Sequence, residues 1–399
     1  MKNGGISWGV LTSLIIVTLI GYSIMSEQEA LTSRLFMLTF FLTAILYIWG
    51  VIRKIISSSF NTLVLLSIIL AFVGVCFSGF GGFDYFKKVI MYSTTLMWLS
   101  YGTSIKISRK TILICFIPIF ILNNLYLLYF NSGFSLYDGE SFLTLNFTNP
   151  NLTGMFMMNS VLYMGILAFG AMDLFKGKFL IIISFLAAII VSISVLSLLL
   201  LTGCRSALMS IAAFLILVIW DYIKRGNLSY KKWVFALVAW LPFIFVFFYL
   251  ADVGSIDVDV SFGYEAGKGA GSRIKIWKPI VDNFFSYIVT GDYYGISKGT
   301  GISQMHNTHL DVFASYGFIP LLLYISLLTK TMWKTWRQSS SRFKRCALYA
   351  FISCQFSYMF EAGFVAGSAG MYILTVGFII FANYDNNESI AGKQCLRPA

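Results

Sequence analysis

Runs of about twenty mostly apolar residues recur along this chain, separated by short polar stretches, many of them basic. A helix of that length matches the hydrocarbon thickness of a bilayer. In lipid only helices and closed barrels satisfy every backbone polar group, and long apolar runs without alternation read as helices. Twelve runs are predicted to span, near 6–25, 35–52, 60–78, 88–105, 111–130, 152–171, 179–201, 206–221, 233–251, 307–329, 346–361 and 364–383. The expected fold is an all-α polytopic membrane protein of about 12 transmembrane helices, with residues 1–399 as a single membrane domain. The supply of charge agrees. Only 12% of residues are charged, against about 25% in a soluble domain. The first run has only Lys2 before it and no small-residue cleavage site, so it reads as a span rather than a signal peptide.

A net charge of +12 in a soluble protein would suggest nucleic acid; here the basic residues cluster between apolar runs and report orientation instead. With twelve spans, one set of connections holds 20 of the 29 Lys and Arg residues and the other set holds nine. The richer set is expected in the cytoplasm, which puts both termini there. The one long connection, 252–306, is then a large extracytoplasmic loop, and a shorter one at 131–151 lies on the same side. The six cysteines are scattered and suggest no disulfide framework. No internal repeat of the kind found in two-halved transporters is visible.

The chemistry-bearing residues gather on that outer side. The only histidines, His306 and His309, stand three apart in QMHNTHLDVFASYGF, at the predicted start of span ten. That spacing would put both on one helical face. Histidine suits proton transfer near neutral pH, so a general base at the membrane–water boundary is expected, with Asn307 beside it to orient the ring. No third ligand completes a metal site with the pair. Arg205 sits in LLTGCRSALMS, at a tight outer turn, where a charge calls for a partner or an anion. Its simplest partner would be Glu361, at the outer end of span eleven. Arg273 sits in GYEAGKGAGSRIKIW, near Lys268, Lys275 and Lys278. A guanidinium grips phosphate as a planar fork, and Arg205 and Arg273 are expected to converge on one outward-facing cavity. The GKGAG string lacks the order of a phosphate loop, and no cofactor is implied. A metal-dependent reading would rest on Glu27 and Glu29 in the first outer loop. Residues 272–288 place apolar side chains at helical spacing and are expected to form a lid helix, with Pro279 as a break or kink and Trp277 at headgroup level.

Four segments together resemble the superfamily of O-antigen ligases and O-antigen/capsule polymerases. His306–Asn307, nine residues, then Gly317 is similar to its H-[NSQ]-x9-G-x-x-[GTY] signature, with Pro320 at the last place. T-G-C-R-S-A at 202–207 resembles a T-x-S-R-[GS]-A turn, with Cys204 for Ser. G-S-R-I-K-I-W at 271–277 resembles a G-x-R-x-x-x-W helix, and F-T-N-P-N-L-T-G at 147–154 resembles a segment before the sixth span. The resemblance implies a GT-C-like, metal-independent, inverting glycosyltransferase of the bacterial inner membrane. Its donor would be a glycan on undecaprenyl pyrophosphate and its acceptor a sugar hydroxyl. His306 would be the catalytic base. Arg205, Arg273, Lys275, Asn307 and His309 would bind substrate, and a chain-length regulator is a further expected partner; nucleic acid is not. A polysaccharide polymerase is the favoured reading, an O-antigen ligase joining glycan to lipid A–core the alternative. A lipid-linked oligosaccharide flippase would need polar residues near the bilayer midplane, and the first five runs hold almost none.

Overall fold

In the computed structural model, residues 29–77, 83–129, 134–137, 140–144, 150–224, 229–253, 270–292, 305–361 and 369–383 are described. The architecture is helical: α1 (Glu29–Ile52), α2 (Ser58–Phe77), α3 (Phe83–Ser104), α4 (Arg109–Tyr129), α5 (Pro150–Leu174), α6 (Lys178–Leu200), α7 (Arg205–Ile223), α8 (Lys232–Val253), α9 (Ala270–Asp282), α10 (Phe284–Tyr287), α11 (Thr308–Tyr316), α12 (Phe318–Gln338), α13 (Arg342–Ser357) and α14 (Ala369–Ala382). One antiparallel hairpin, β1 (Phe134–Tyr137) and β2 (Glu140–Leu143), lies between α4 and α5. Eleven of the twelve predicted runs fall on these helices, and the first, 6–25, lies outside the described residues. Among the described residues, five helices, α2, α5, α6, α7 and α8, are long and apolar enough to cross a membrane, as expected of a membrane protein.

Burial separates two kinds of apolar helix. α5 starts on Pro150, where a missing N–H costs nothing, and is buried along most of its length. It packs against α6, α7 and α13 and forms the centre of the bundle. Neighbouring α6 leaves Phe179, Leu180, Ile182, Leu186, Ile190 and Ile193 exposed, an apolar surface that suits only lipid. On α8, Trp233, Leu237 and Phe248 are exposed in the same way.

The tenth predicted span, 307–329, is not one helix. α11 ends at Tyr316, Gly317 adopts φ +92°, and α12 begins at Phe318. Fifteen residues along a continuous helix would separate His309 and Tyr324 by about 22 Å. Their ring centroids are 5.2 Å apart, so α11 folds back along α12. A side chain at Gly317 would have its Cβ 2.5 Å from the Val289 carbonyl oxygen, and the Phe318 N–H donates to Ile288 O (2.9 Å). Residues 288–292, themselves a turn, thus hold this turn closed. Pro320 falls in the first turn of α12, where its absent N–H has no helical partner to lose.

α13 runs between the two ends of the bundle. Where it begins, Arg345 Nε donates to both carboxylate oxygens of Asp221 (3.0 and 3.1 Å), and the Tyr349 hydroxyl donates to Asp221 Oδ1 (3.1 Å). The Phe343 N–H is accepted by Asp173 Oδ2 at 2.7 Å, and Ser341 caps the helix. Where it ends, the Ser357 N–H donates to Ser210 Oγ of α7 (3.0 Å).

Candidate active site

The far end of α13 supplies the frame. A helix leaves its last carbonyls without intrahelical partners. Here the turn 358–361 offers four carbonyl oxygens in succession, and each accepts a bond from a predicted site segment. The Thr308 N–H donates to Tyr358 O (3.2 Å), Asn307 Nδ2 to Met359 O (3.1 Å), Arg273 Nη2 to Phe360 O (3.1 Å), and Thr308 Oγ1 to Glu361 O (3.0 Å). The Glu361 side chain then joins two of the predicted site residues. Its Oε1 lies 3.3 Å from Arg273 Nη2 and its Oε2 lies 3.4 Å from His306 Nδ1.

His306 is not in the helix that follows it. Asn307 is the N-cap of α11, with extended backbone, and its Oδ1 accepts the Leu310 N–H at 2.9 Å. His306 itself sits at φ +47°, one of two described non-glycine residues with positive φ. Such a conformation costs energy and persists only where surroundings fix it. Those surroundings are identifiable. Met305, just before it, is buried; its carbonyl accepts from Trp277 Nε1 (2.7 Å), and its N–H is accepted by the Asp311 carboxylate. The imidazole therefore stands part-exposed, with Nδ1 toward Glu361 and Nε2 free of described partners.

α9 makes sense of the spacing G-x-R-x-x-x-W. Arg273 and Trp277 are one turn apart and share a face. Trp277 holds Met305, Arg273 holds Glu361, and the two meet around His306. Trp277 is fully buried among Phe245 and Tyr249, so its ring meets protein and not lipid headgroups. Its indole had a polar partner inside. Pro279 does not break α9, which runs on to Asp282. Residues 254–269 and 293–304 of the predicted large loop lie outside the described residues.

The TGCRSA turn reaches the same end. Cys204 caps α7 and packs on the NPNLTG segment; a Cβ on Gly154 would lie 2.2 Å from the Cys204 Cβ. Burial pushes the Cys204 thiol up to about 12, and the Glu361 charge adds to this while Arg273 opposes it. The turn is thus within electrostatic reach of the Glu361 cluster.

The remaining predicted residues are placed differently. Arg205 is exposed at the start of α7 and forms no ion pair with a described residue; Glu361, its expected partner, is held by Arg273 and His306. His309 is fully buried, with Nε2 at 2.8 Å from Ala239 O. The shared helical face expected for the two histidines required His306 to be helical, and it is not. Asn307 Nδ2 is also engaged by Pro242 O (2.6 Å), so its amide serves the frame. Both carbonyls belong to α8, one of them Pro242's own and the other three residues before it. The side chains of Lys275 and Glu29, and all of Lys268 and Glu27, lie outside the described residues. Glu361 was legible only as a lone acid near the end of an apolar run; its role as the shared partner was not.

The nine residues of the signature acquire a structural meaning. They are α11, Thr308–Tyr316, bounded by its N-cap Asn307 and its C-cap Gly317. Compared with known proteins, the chain matches no family model, no curated protein and no solved structure.

Proposed function

We propose that this protein is a membrane glycosyltransferase that moves a glycan from undecaprenyl pyrophosphate to an acceptor sugar hydroxyl, acting as a polysaccharide polymerase. The observation that carries the reading is the His306–Glu361–Arg273 cluster: a part-exposed imidazole oriented by a buried carboxylate, itself held by a guanidinium. In the proposed step, His306 Nε2 takes the proton of the acceptor hydroxyl. The oxygen attacks the anomeric carbon, and the bond to the pyrophosphate oxygen breaks with its electron pair leaving on the pyrophosphate. Attack from the opposite face inverts the anomeric centre. Glu361 supports the imidazolium that forms, and Arg273 keeps that carboxylate in place. Arg205, exposed at the same end, supplies positive charge toward the leaving pyrophosphate.

The test is transfer by the purified protein with a lipid-linked repeat unit as donor. His306→Ala is expected to lower the rate by about 10²- to 10⁴-fold while donor binding and melting temperature hold. A wild-type rate in His306→Ala removes the base. Offering a lipid-linked repeat unit and a lipid A–core acceptor side by side separates polymerase from ligase: extension of the first supports the proposal, and transfer only to the second replaces it. Donor that crosses the bilayer with no new glycosidic bond would instead favour the flippase.

A further inference from the structure

At the end of the bundle opposite His306, two lysines of one helix crowd over one aromatic ring, and a third lysine from a neighbouring helix is near enough to act on them. Lys330 and Lys334 stand one turn apart on α12 and face α2. Their ammonium nitrogens lie 4.5 and 5.2 Å from the centroid of the buried Phe60 ring, and Lys330 Nζ donates to Ser59 Oγ (2.5 Å). Lys232, at the start of α8, is close enough for its charge to act on Lys330. Burial and then this neighbour lower the Lys330 pKa; burial and then Lys330 lower that of Lys334. Among the described residues, no carboxylate forms an ion pair with any of the three.

Like charges one turn apart on a helix repel, and burial of their stems sharpens the repulsion. The Phe60 face relieves part of it through its quadrupole but supplies no negative charge. An anion between the lysines would complete the arrangement. The surface around them says what carries that anion. Trp233, beside Lys232, is 63% exposed and Leu237, a turn further along α8, is 54% exposed, an apolar lipid-facing strip leading to the lysines. Tryptophan at such a place marks the headgroup level of a membrane.

We propose that Lys330, Lys334 and Lys232 bind the headgroup of an anionic phospholipid, with its acyl chains along the exposed face of α8. The site is independent of the glycosyl-transfer chemistry and stands or falls separately from it. The phosphate would lie between the ammonium groups, with the Ser59 hydroxyl as a further donor.

The experiment is native mass spectrometry of the full-length protein in mild detergent, with phosphatidylglycerol and phosphatidylcholine supplied at equal concentration. Wild type is expected to retain phosphatidylglycerol preferentially. Each lysine near an anionic surface contributes about fivefold, so K330Q/K334Q together should lower phosphatidylglycerol retention about 25-fold. K330R/K334R should keep it, and melting temperatures without added lipid should show that both variants are folded. Equal retention of the two lipids by wild type overturns the proposal. So does undiminished phosphatidylglycerol binding by K330Q/K334Q, or its displacement by millimolar inorganic phosphate, which would indicate a site for a soluble anion. If K330Q/K334Q fails to fold, loss of the preference in K330R/K334R counts against the site and its retention supports it.

Discussion

The two ends of α13 carry buried charge in opposite ways. At its start, Asp221 meets Arg345 through both carboxylate oxygens and adds the Tyr349 hydroxyl, all within about 3 Å. At its finish, Glu361 reaches Arg273 and His306 at 3.3 and 3.4 Å, and the imidazole stays part-exposed. The first cluster is closed: both oxygens of the carboxylate accept, and little of it meets solvent. The second is held firmly through its backbone carbonyls and loosely at its side chains. Contacts of that kind tighten only when substrate arrives. A rigid frame carrying slack side chains is what a reacting site requires, whereas a matched frame with matched side chains serves to fix two helices.

That contrast is broken or sharpened by mutation. The largest expected effect is at the closed end. Asp221→Ala leaves the Arg345 guanidinium without its carboxylate and is expected to cost about 3–5 kcal/mol of stability. Thermal unfolding in detergent measures it, and an unchanged melting temperature would show that the pair does not tie α7 to α13. Next comes Glu361→Gln, which keeps the shape and removes the charge. It should lower kcat for glycan transfer by about 10- to 100-fold, the worth of hydrogen bonds to a charged group, with KM for the lipid-linked donor nearly unchanged. A pure KM effect would make Glu361 a binding group and not a support for His306.

Gly154→Ala follows. Its Cβ would collide with Cys204, and overpacking of this kind costs about 1–3 kcal/mol. The variant should lose both melting temperature and transfer rate, because the TGCRSA turn moves. Stability lost with full activity would detach that turn from the site. The smallest effect is at Tyr349→Phe, which removes one hydrogen bond to Asp221 and should cost about 1 kcal/mol while transfer proceeds at the wild-type rate.

Sequence reading recovered the helices because long apolar runs leave the backbone little choice in lipid. It did not recover the fold-back at Gly317. FASYGFIPLLL reads as one apolar run, and the reversal depends on a backbone angle and on Val289, 28 residues earlier. The site residues His306 and Arg273 were visible from their chemical types. Their common partner is not legible, since nothing local links Glu361 to a helix 88 residues before it. His309 parts from His306 for a plainer reason: the N-cap Asn307 stands between them, and helical spacing does not carry across it. Trp277 was read from its amphipathic character, and only the packing of Phe245 and Tyr249 explains why it turned inward.

The short helix between Asn307 and Gly317 acts as a ruler. Both its ends are fastened, one by the amide of Asn307 to Pro242 and Met359, the other by the carbonyl wall at Val289. One residue inserted between them would advance the helix by about 100° and 1.5 Å. His309 and Asp311 would swing off Ala239 and Met305, and the strained residue ahead of them would lose its footing. Along α11, then, the chain should tolerate exchanged letters far better than an added or deleted one. A fixed count between two caps is a measured length, and the phase it sets decides where His306 stands.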